Sequence, residues 1–222
     1  MDKFAFEFCA EGFIALPSGA LFWPTESTLI VSDLHFGKSA RQGQYGGALL
    51  PPYETRETLK RLDADMALTS PAHVVCLGDS FDAPRLEYFL PKHDLEWMIR
   101  LQAGVKWTWI EGNHDPGPIA LGGEHLAELS INHLKLRHIA THDTGEISGH
   151  YHPKVRLKLR GRTISRPCFL WDQSRLILPA YGTYTGGLFC ESQTLRRMMH
   201  TEAKAILTGQ RPCAIPAFDL QP

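Results

Sequence analysis

The chain has 222 residues, 43% of them hydrophobic and 21% charged, which fits a single globular domain spanning residues 1–222 with a sizeable core. Its 23 basic and 24 acidic residues nearly cancel, which excludes a protein that adheres to nucleic acid through bulk charge but leaves room for a local basic groove. The five cysteines (Cys9, Cys76, Cys168, Cys190 and Cys213) lack the close pairs of a zinc ribbon, and their odd count points to reduced thiols and a cytoplasmic protein. The longest uncharged stretch near the start, Gly12 to Pro24, is too short for a membrane span, and Asp2, Glu7 and Glu11 argue against a signal peptide.

Along the chain, short apolar runs end in polar clusters. Thr28 to Val31 predicts a buried strand ending at Ser32-Asp33-Leu34-His35. Pro52 suits the first turn of a helix that continues through Leu59, Leu62 and Met66. Val74 to Leu77 predicts a second buried strand, ending at Gly78-Asp79. Leu95, Met98, Ile99 and Gln102 recur at helical spacing, closed by Gly104. Val105 to Ile110 is rich in strand formers and ends at Gly112-Asn113-His114-Asp115. Glu124 to Leu129 is read as a third helix, and Leu134 to His138 alternates with the period of a half-buried strand. Glu146 to Ser148 leads into Gly149-His150-Tyr151-His152. Beyond it, Val155–Leu159, Arg162–Ser165, Cys168–Trp171, Arg175–Leu178 and Gly187–Cys190 read as short strands of a second sheet. Strand alternating with helix is an α/β signature, and ligands in such folds collect beyond the carboxyl ends of strands, where every cluster named above lies.

The clusters carry donors that suit cations. Asp33 and His35, two apart, share a side if the segment is extended, as do His150 and His152. Asp79 has two oxygens and can bridge two cations; Gly78 before it allows backbone to approach closely. Asn113 offers a neutral carbonyl oxygen, and Asp115 is placed to orient the His114 ring. Carboxylates, an amide and imidazoles together suit Mn²⁺, Fe²⁺ or Zn²⁺, and two such ions can clamp a phosphate and generate a hydroxide between them.

Asp-x-His, Gly-Asp, Gly-Asn-His-Asp, His and Gly-His-x-His, in that order, resemble the calcineurin-like metallophosphoesterase superfamily from Asp33 to His152. The resemblance implies a four-layer αββα sandwich of two mixed sheets flanked by helices. It implies that Asp33, His35 and His152 hold one metal, that Asn113 and His150 hold another, that Asp79 bridges them, and that His114 contacts phosphate and protonates the leaving oxygen. The family's remaining histidine begins a His-Gly or ends a Gly-His pair, and neither is present at the expected place. His138, which closes an alternating strand, is the choice; His142 is second, and His133 is taken as a surface residue. Lys38, Arg41 and Arg56 are candidate contacts to flanking phosphates, and Tyr181 and Tyr184 could line a cleft.

Asp33-Leu-His-Phe-Gly-Lys38, Leu50-Pro-Pro-Tyr-Glu-Thr-Arg56, Leu77-Gly-Asp-Ser-Phe81, Gly145 to Pro153 and Leu178 to Gly187 are also similar to bacterial ligase-associated DNA damage response phosphoesterases. That narrower resemblance implies an endonuclease or phosphodiesterase associated with a DNA ligase and a helicase, acting on DNA with two divalent ions such as Mn²⁺. Hydrolysis of nucleotides or other small phosphoesters, and a non-catalytic metal-binding scaffold, are the alternative readings.

Overall fold

The computed structural model describes residues 2–44, 53–82, 90–115, 121–159 and 161–218. Leu50, Pro51 and Pro52, including the expected helix-starting proline, lie outside them. The first sheet runs β1 (Phe4–Phe8), β2 (Glu11–Ala15), β3 (Leu21–Trp23), β4 (Thr28–Val31), β5 (His73–Leu77), β6 (Lys106–Ile110) and β7 (Glu124–Leu126), side by side in that order. The pairs from β1 to β4 are antiparallel and those from β4 to β7 parallel. Its three N-terminal strands belong to no expected element, although Phe4, Phe6 and Phe8 alternate as a strand should.

The second sheet is built from β8 (Glu128–Ile131), β9 (Leu134–Arg137), β10 (Glu146–Ser148), β12 (Arg162–Trp171), β13 (Arg175–Ile177), β14 (Lys204–Leu207) and β15 (Ala214–Pro216). Across it the order is β15-β14-β12-β13-β10-β9-β8, and β11 (Lys154–Leu159) pairs with the outer part of β12. The helices are α1 (Lys38–Gln44), α2 (Glu54–Thr69), α3 (Lys92–Gln102) and α4 (Gln193–Met198).

Three apolar clusters define the layers. Ile30, Val75, Leu77 and Phe13 of the first sheet meet Leu134, Ile147, Phe169 and Ile206 of the second. Leu59 and Leu62 of α2 and Met98 of α3 pack with Leu29, Val74 and Cys76 on the outer face of the first sheet. Leu195 of α4 packs with Leu170, Ile177 and Ala205 on the outer face of the second. The result is the expected helix, sheet, sheet, helix sandwich with two mixed sheets. Both faces of β4 and β5 are covered, which is why they read as unbroken apolar runs rather than alternating ones.

Three expectations are corrected. The segment 124–129 is not a helix but parts of β7 and β8. Leu126, Leu129 and Ile131 are drawn into the inter-sheet core, and pairing with β6 and β9 overrides a short helical pattern. Arg162–Ser165 and Cys168–Trp171 are one strand, in which Pro167 sits where β12 changes partner from β11 to β13 and β14. Gly187–Cys190 forms only one bridge, between Phe189 and Lys154. Among the described residues no helix is long and apolar enough to cross a membrane.

Candidate metal centre

The parallel strands β4, β5 and β6 stop within one residue of the same level, so the loops beyond them lie side by side. Backbone hydrogen bonds continue the pairing past the strand ends: Asp33 N–H donates to Gly78 (3.2 Å), His35 N–H to Asp79 (2.9 Å) and Phe36 N–H to Ser80 (2.9 Å). From the second sheet, Tyr181 N–H donates to Ser32 (2.8 Å) and Gly182 N–H to Asp33 (3.0 Å), while Gly149 N–H donates to His138 (3.0 Å). The loops after β4, β5, β6, β9 and β10 therefore meet at one edge of the sandwich.

The side chains do not converge by extended-strand alternation, as the two-residue spacings suggested. Asp33, His35, Asp79, His150 and His152 all adopt left-handed backbone, with φ between 46° and 66°. Non-glycine residues in that region are strained, and such strain persists where surrounding structure imposes it, often at functional sites. Here each turn aims its side chain into the edge where the loops meet, toward one or the other of two groups. His150 and His152 consequently serve different groups.

Asp33, His35 and His152 form the first group, and Asp79, His138 and His150 the second; within each, potential ligand atoms lie within 4.8 Å of one another. His152 Nε2 stands 2.8 Å from Asp33 Oδ1. Asp33 Oδ1, His35 Nε2 and His152 Nε2 are buried with no hydrogen-bond partner. Three orphaned polar atoms facing one point are costly unless something positive lies between them. In the second group, His138 Nε2 has Asn113 Oδ1 at 3.0 Å, His150 Nδ1 at 3.2 Å and Asp79 Oδ2 at 3.4 Å. Donor atoms about 3 Å apart are what a cation about 2.1 Å from each would keep. The donor sets therefore fit two divalent cations.

The rings are held in the tautomer such a role requires. His35 Nδ1 lies 2.5 Å from Asp82 Oδ1, so the proton sits there and Nε2 presents its lone pair. His138 Nδ1–H donates to the Leu77 carbonyl (2.8 Å) and frees its Nε2 in the same way. Asp33 Oδ2 accepts from Ser32 Oγ (2.5 Å) and from His150 N–H (3.0 Å), leaving Oδ1 for the cation. Asp82 and Ser32 were not read from the sequence as parts of the site. Asp82 follows Asp79 by three residues, but its bond to His35 spans 47 positions and has no sequence signature.

Asp115 does not orient the His114 ring. Its carboxylate accepts from the backbone N–H groups of Asp79 (2.9 Å), Ser80 (2.8 Å), Phe81 (3.2 Å) and Gly112 (3.1 Å), tying the loop after β6 to the loop after β5. Burial and the neighbouring Asp79 charge nevertheless push its pKa up to about 6 against those donors. His114 is exposed; its N–H donates to Asp79 Oδ1 (2.8 Å), and its ring centroid lies 5.5 Å from that of His35, edge to face.

Charges within the site are mutually adjusted. Burial alone would raise Asp33 and Asp79, but His152 holds Asp33, and His138 holds Asp79, below the usual carboxylate range. Burial likewise opposes protonation of His138, yet Asp79 and Asp33 outweigh it and raise the pKa. Burial and the neighbouring His138 lower that of His150.

Glycines make the close approach possible. A Cβ on Gly149 would stand 1.7 Å from Ser32 Oγ and 2.5 Å from Asp33 Oδ2. One on Gly78, at φ +76°, would stand 2.6 Å from the His138 ring.

Among the candidate third histidines, His138 joins the second group, His142 is exposed in a loop, and His133 donates to the Cys9 carbonyl (2.6 Å). Arg41 lies 3.9 Å from Asp82, at the edge of the site, and Lys38 opens α1 close by in the chain. Arg56 is engaged elsewhere, with His93 and Asp94 at the start of α3. Tyr181 is fully buried with its hydroxyl on Asp65 (2.8 Å), a packing residue rather than part of a cleft wall, whereas Tyr184 is exposed.

Comparison with known proteins gives the same frame. A solved structure, that of the Pseudomonas putida nuclease MPE, superposes with a TM-score of 0.72 at 24% identity, covering 96% of this chain and 100% of that one. No match was found among curated proteins. The family model for calcineurin-like phosphoesterases matches residues 27–193, which include both donor groups, and the chain belongs to that family.

Proposed function

We propose that this phosphoesterase hydrolyses phosphodiester bonds of DNA, in the service of DNA repair, with two divalent cations, Mn²⁺ foremost. The observation that carries the reading is the pair of adjoining donor groups, one with three orphaned buried atoms, beside an exposed histidine. When bound, two cations there would draw charge from the phosphoryl oxygens and lower the pKa of water. Asp33, His35 and His152 would hold one cation and Asn113, His138 and His150 the other, with the Asp79 carboxylate offered from between the two groups. Asp82 and Leu77 fix the protons of His35 and His138 away from the cations. His114, free on the solvent side and steadied by its N–H on Asp79, donates the proton that the leaving oxygen needs. Lys38 and Arg41 contact the flanking phosphates. The DNA assignment draws on the solved relative, a nuclease, and on the segments similar to ligase-associated phosphoesterases.

The test is turnover by metal-stripped protein with and without Mn²⁺, on bis-p-nitrophenyl phosphate and on a single-stranded oligonucleotide, beside His114→Ala. Loss of a general acid costs about 10²- to 10⁴-fold where the leaving group is a poor one. Nitrophenolate leaves with little protonation, so His114→Ala loses more on the oligonucleotide than on the nitrophenyl ester. No turnover of either substrate by folded protein with Mn²⁺ sinks the reading.

A further inference from the structure

The chain is nearly neutral, yet residues 154–166 contain six Lys or Arg and no acidic residue, leaving the remainder net acidic. Lys154–Leu159 form β11 and Arg162–Arg166 the outer part of β12, an antiparallel pair in which Arg156 faces Ser165 and Lys158 faces Thr163. Arg156, Lys158, Arg162 and Arg166 are exposed. The side chains of Lys158, Arg162 and Arg166 make no ion pair or hydrogen bond among the described residues. A cluster of cations left unpaired in a folded protein repels itself, and is tolerable where an anion covers it.

Alternation along β11 places Lys154, Arg156 and Lys158 on one face, about 6.8 Å apart in succession. The first two share one aromatic ring: the Arg156 guanidinium lies 3.7 Å, and Lys154 Nζ 4.9 Å, from the centroid of Phe189. Phe189 is anchored beside them, because Lys154 N–H donates to Leu188 (3.0 Å) and Cys190 N–H to Lys154 (2.9 Å). The row begins at the metal centre. Lys154 is two residues beyond His152, and Leu188 N–H donates to Tyr151 (3.0 Å), so the Phe189 loop touches the ligand loop itself. Tyr184 and Leu188, on the same loop, are 44% and 36% exposed.

From these observations we infer that the β11–β12 hairpin, with Phe189, is a docking arm for a single-stranded nucleic-acid backbone, feeding it toward the metal centre. Evenly spaced cations follow successive phosphates, and an aromatic ring stacked with arginine offers bases a platform, which is how sequence-tolerant single-strand grooves are built. The inference rests on the phosphodiester reading above for its choice of ligand.

The experiment compares full-length, metal-stripped wild type with Arg156→Glu/Lys158→Glu. Binding of a fluorescein-labelled oligothymidylate is followed by anisotropy over a salt series. The arm predicts binding weaker by roughly tenfold or more, and a slope of log K against log salt shallower by about 1.4, for two lost phosphate contacts. The variant should keep the Mn²⁺-induced rise in Tm, which reports an intact metal centre. If the reversal does not fold, Arg156→Gln/Lys158→Gln asks the same question with a smaller change. Unchanged affinity and slope overturn the arm. So does displacement of the oligonucleotide by polyglutamate as readily as by unlabelled oligonucleotide, which would mark a site for acidic peptides. Binding of the oligonucleotide is read without turnover, so a wild type that binds it but cleaves no diester defeats the phosphodiesterase reading alone.

Discussion

Asp82 never touches a cation in this account, yet it decides whether His35 can. Its Oδ1 lies 2.5 Å from His35 Nδ1, and the side chains of both are 5% exposed. Asp82→Ala removes the acceptor and leaves a buried N–H unpartnered, a loss of about 1–3 kcal/mol. The ring can then recover a partner only by turning or by moving its proton to Nε2, and either withdraws the lone pair from the metal. Second-layer partners of metal-bound histidines typically contribute 10- to 100-fold in affinity, or about 1.4–2.8 kcal/mol. The two estimates agree, and they concern the first group alone. Calorimetric titration of metal-stripped protein with Mn²⁺ should therefore show one of two equivalents weakened by that factor in Asp82→Ala. Asp82→Asn retains a carbonyl acceptor for the Nδ1 proton but loses the charge-assisted part of the bond, so its loss should fall nearer tenfold. An Asp82→Ala protein that binds two equivalents with wild-type affinity would refute the reasoning.

Gly149→Ala places a methyl 1.7 Å from a fully buried serine hydroxyl, and overpacking of that kind costs about 1–3 kcal/mol; at 3 kcal/mol the metal-free Tm should fall by about 6–12 °C in a scanning melt, with Mn²⁺-dependent turnover lost as well. A wild-type Tm would show that the loop has room the structure denies it. Metal saturation at 100 times Kd should add about 2.7 kcal/mol, or about 5–11 °C, which EDTA reverses; equal melts with and without chelator would speak against binding to the folded state. That increment depends on pH with a definite sign. His138 has its pKa raised above 6.5, so its pairing with Asp79 supports the metal-free fold fully below that value and is lost as pH rises through the raised one. A cation must displace the same proton. The Mn²⁺-induced rise in Tm should accordingly grow from pH 5.5 to pH 8, and a rise that shrinks over that range would contradict the assignment of His138. His138→Ala should lower affinity at the second group, whereas His142→Ala, changed in an exposed loop, should leave Mn²⁺ titrations as they were.

Much of this centre is legible in the chain because strand and ligand are adjacent in sequence. Buried runs such as Thr28–Val31 and His73–Leu77 mark where parallel strands stop, and the polar residues that follow can only lie at that edge. His138 is found the same way, from the period-two strand it closes, even though it lacks the neighbouring glycine the family usually places there. What the chain does not reveal are the contacts made across it. Asp82 to His35 and Asp115 to the Ser80 backbone join residues separated by dozens of positions, and only the folded sheets bring them together. Backbone conformation is equally hidden: nothing in His-x-His distinguishes an extended segment from the left-handed turns that send His150 and His152 to different groups. The segment 124–129 shows the opposite failure, since its local pattern suggests a helix and the β6 edge and β9 claim it for strands.

The most direct test of the central claim is anomalous diffraction from crystals of the protein grown with Mn²⁺. Two peaks are expected, one bounded by Asp33, His35 and His152 and the other by Asn113, His138 and His150, with Asp79 reaching both. A single peak, or peaks away from these side chains, would contradict it.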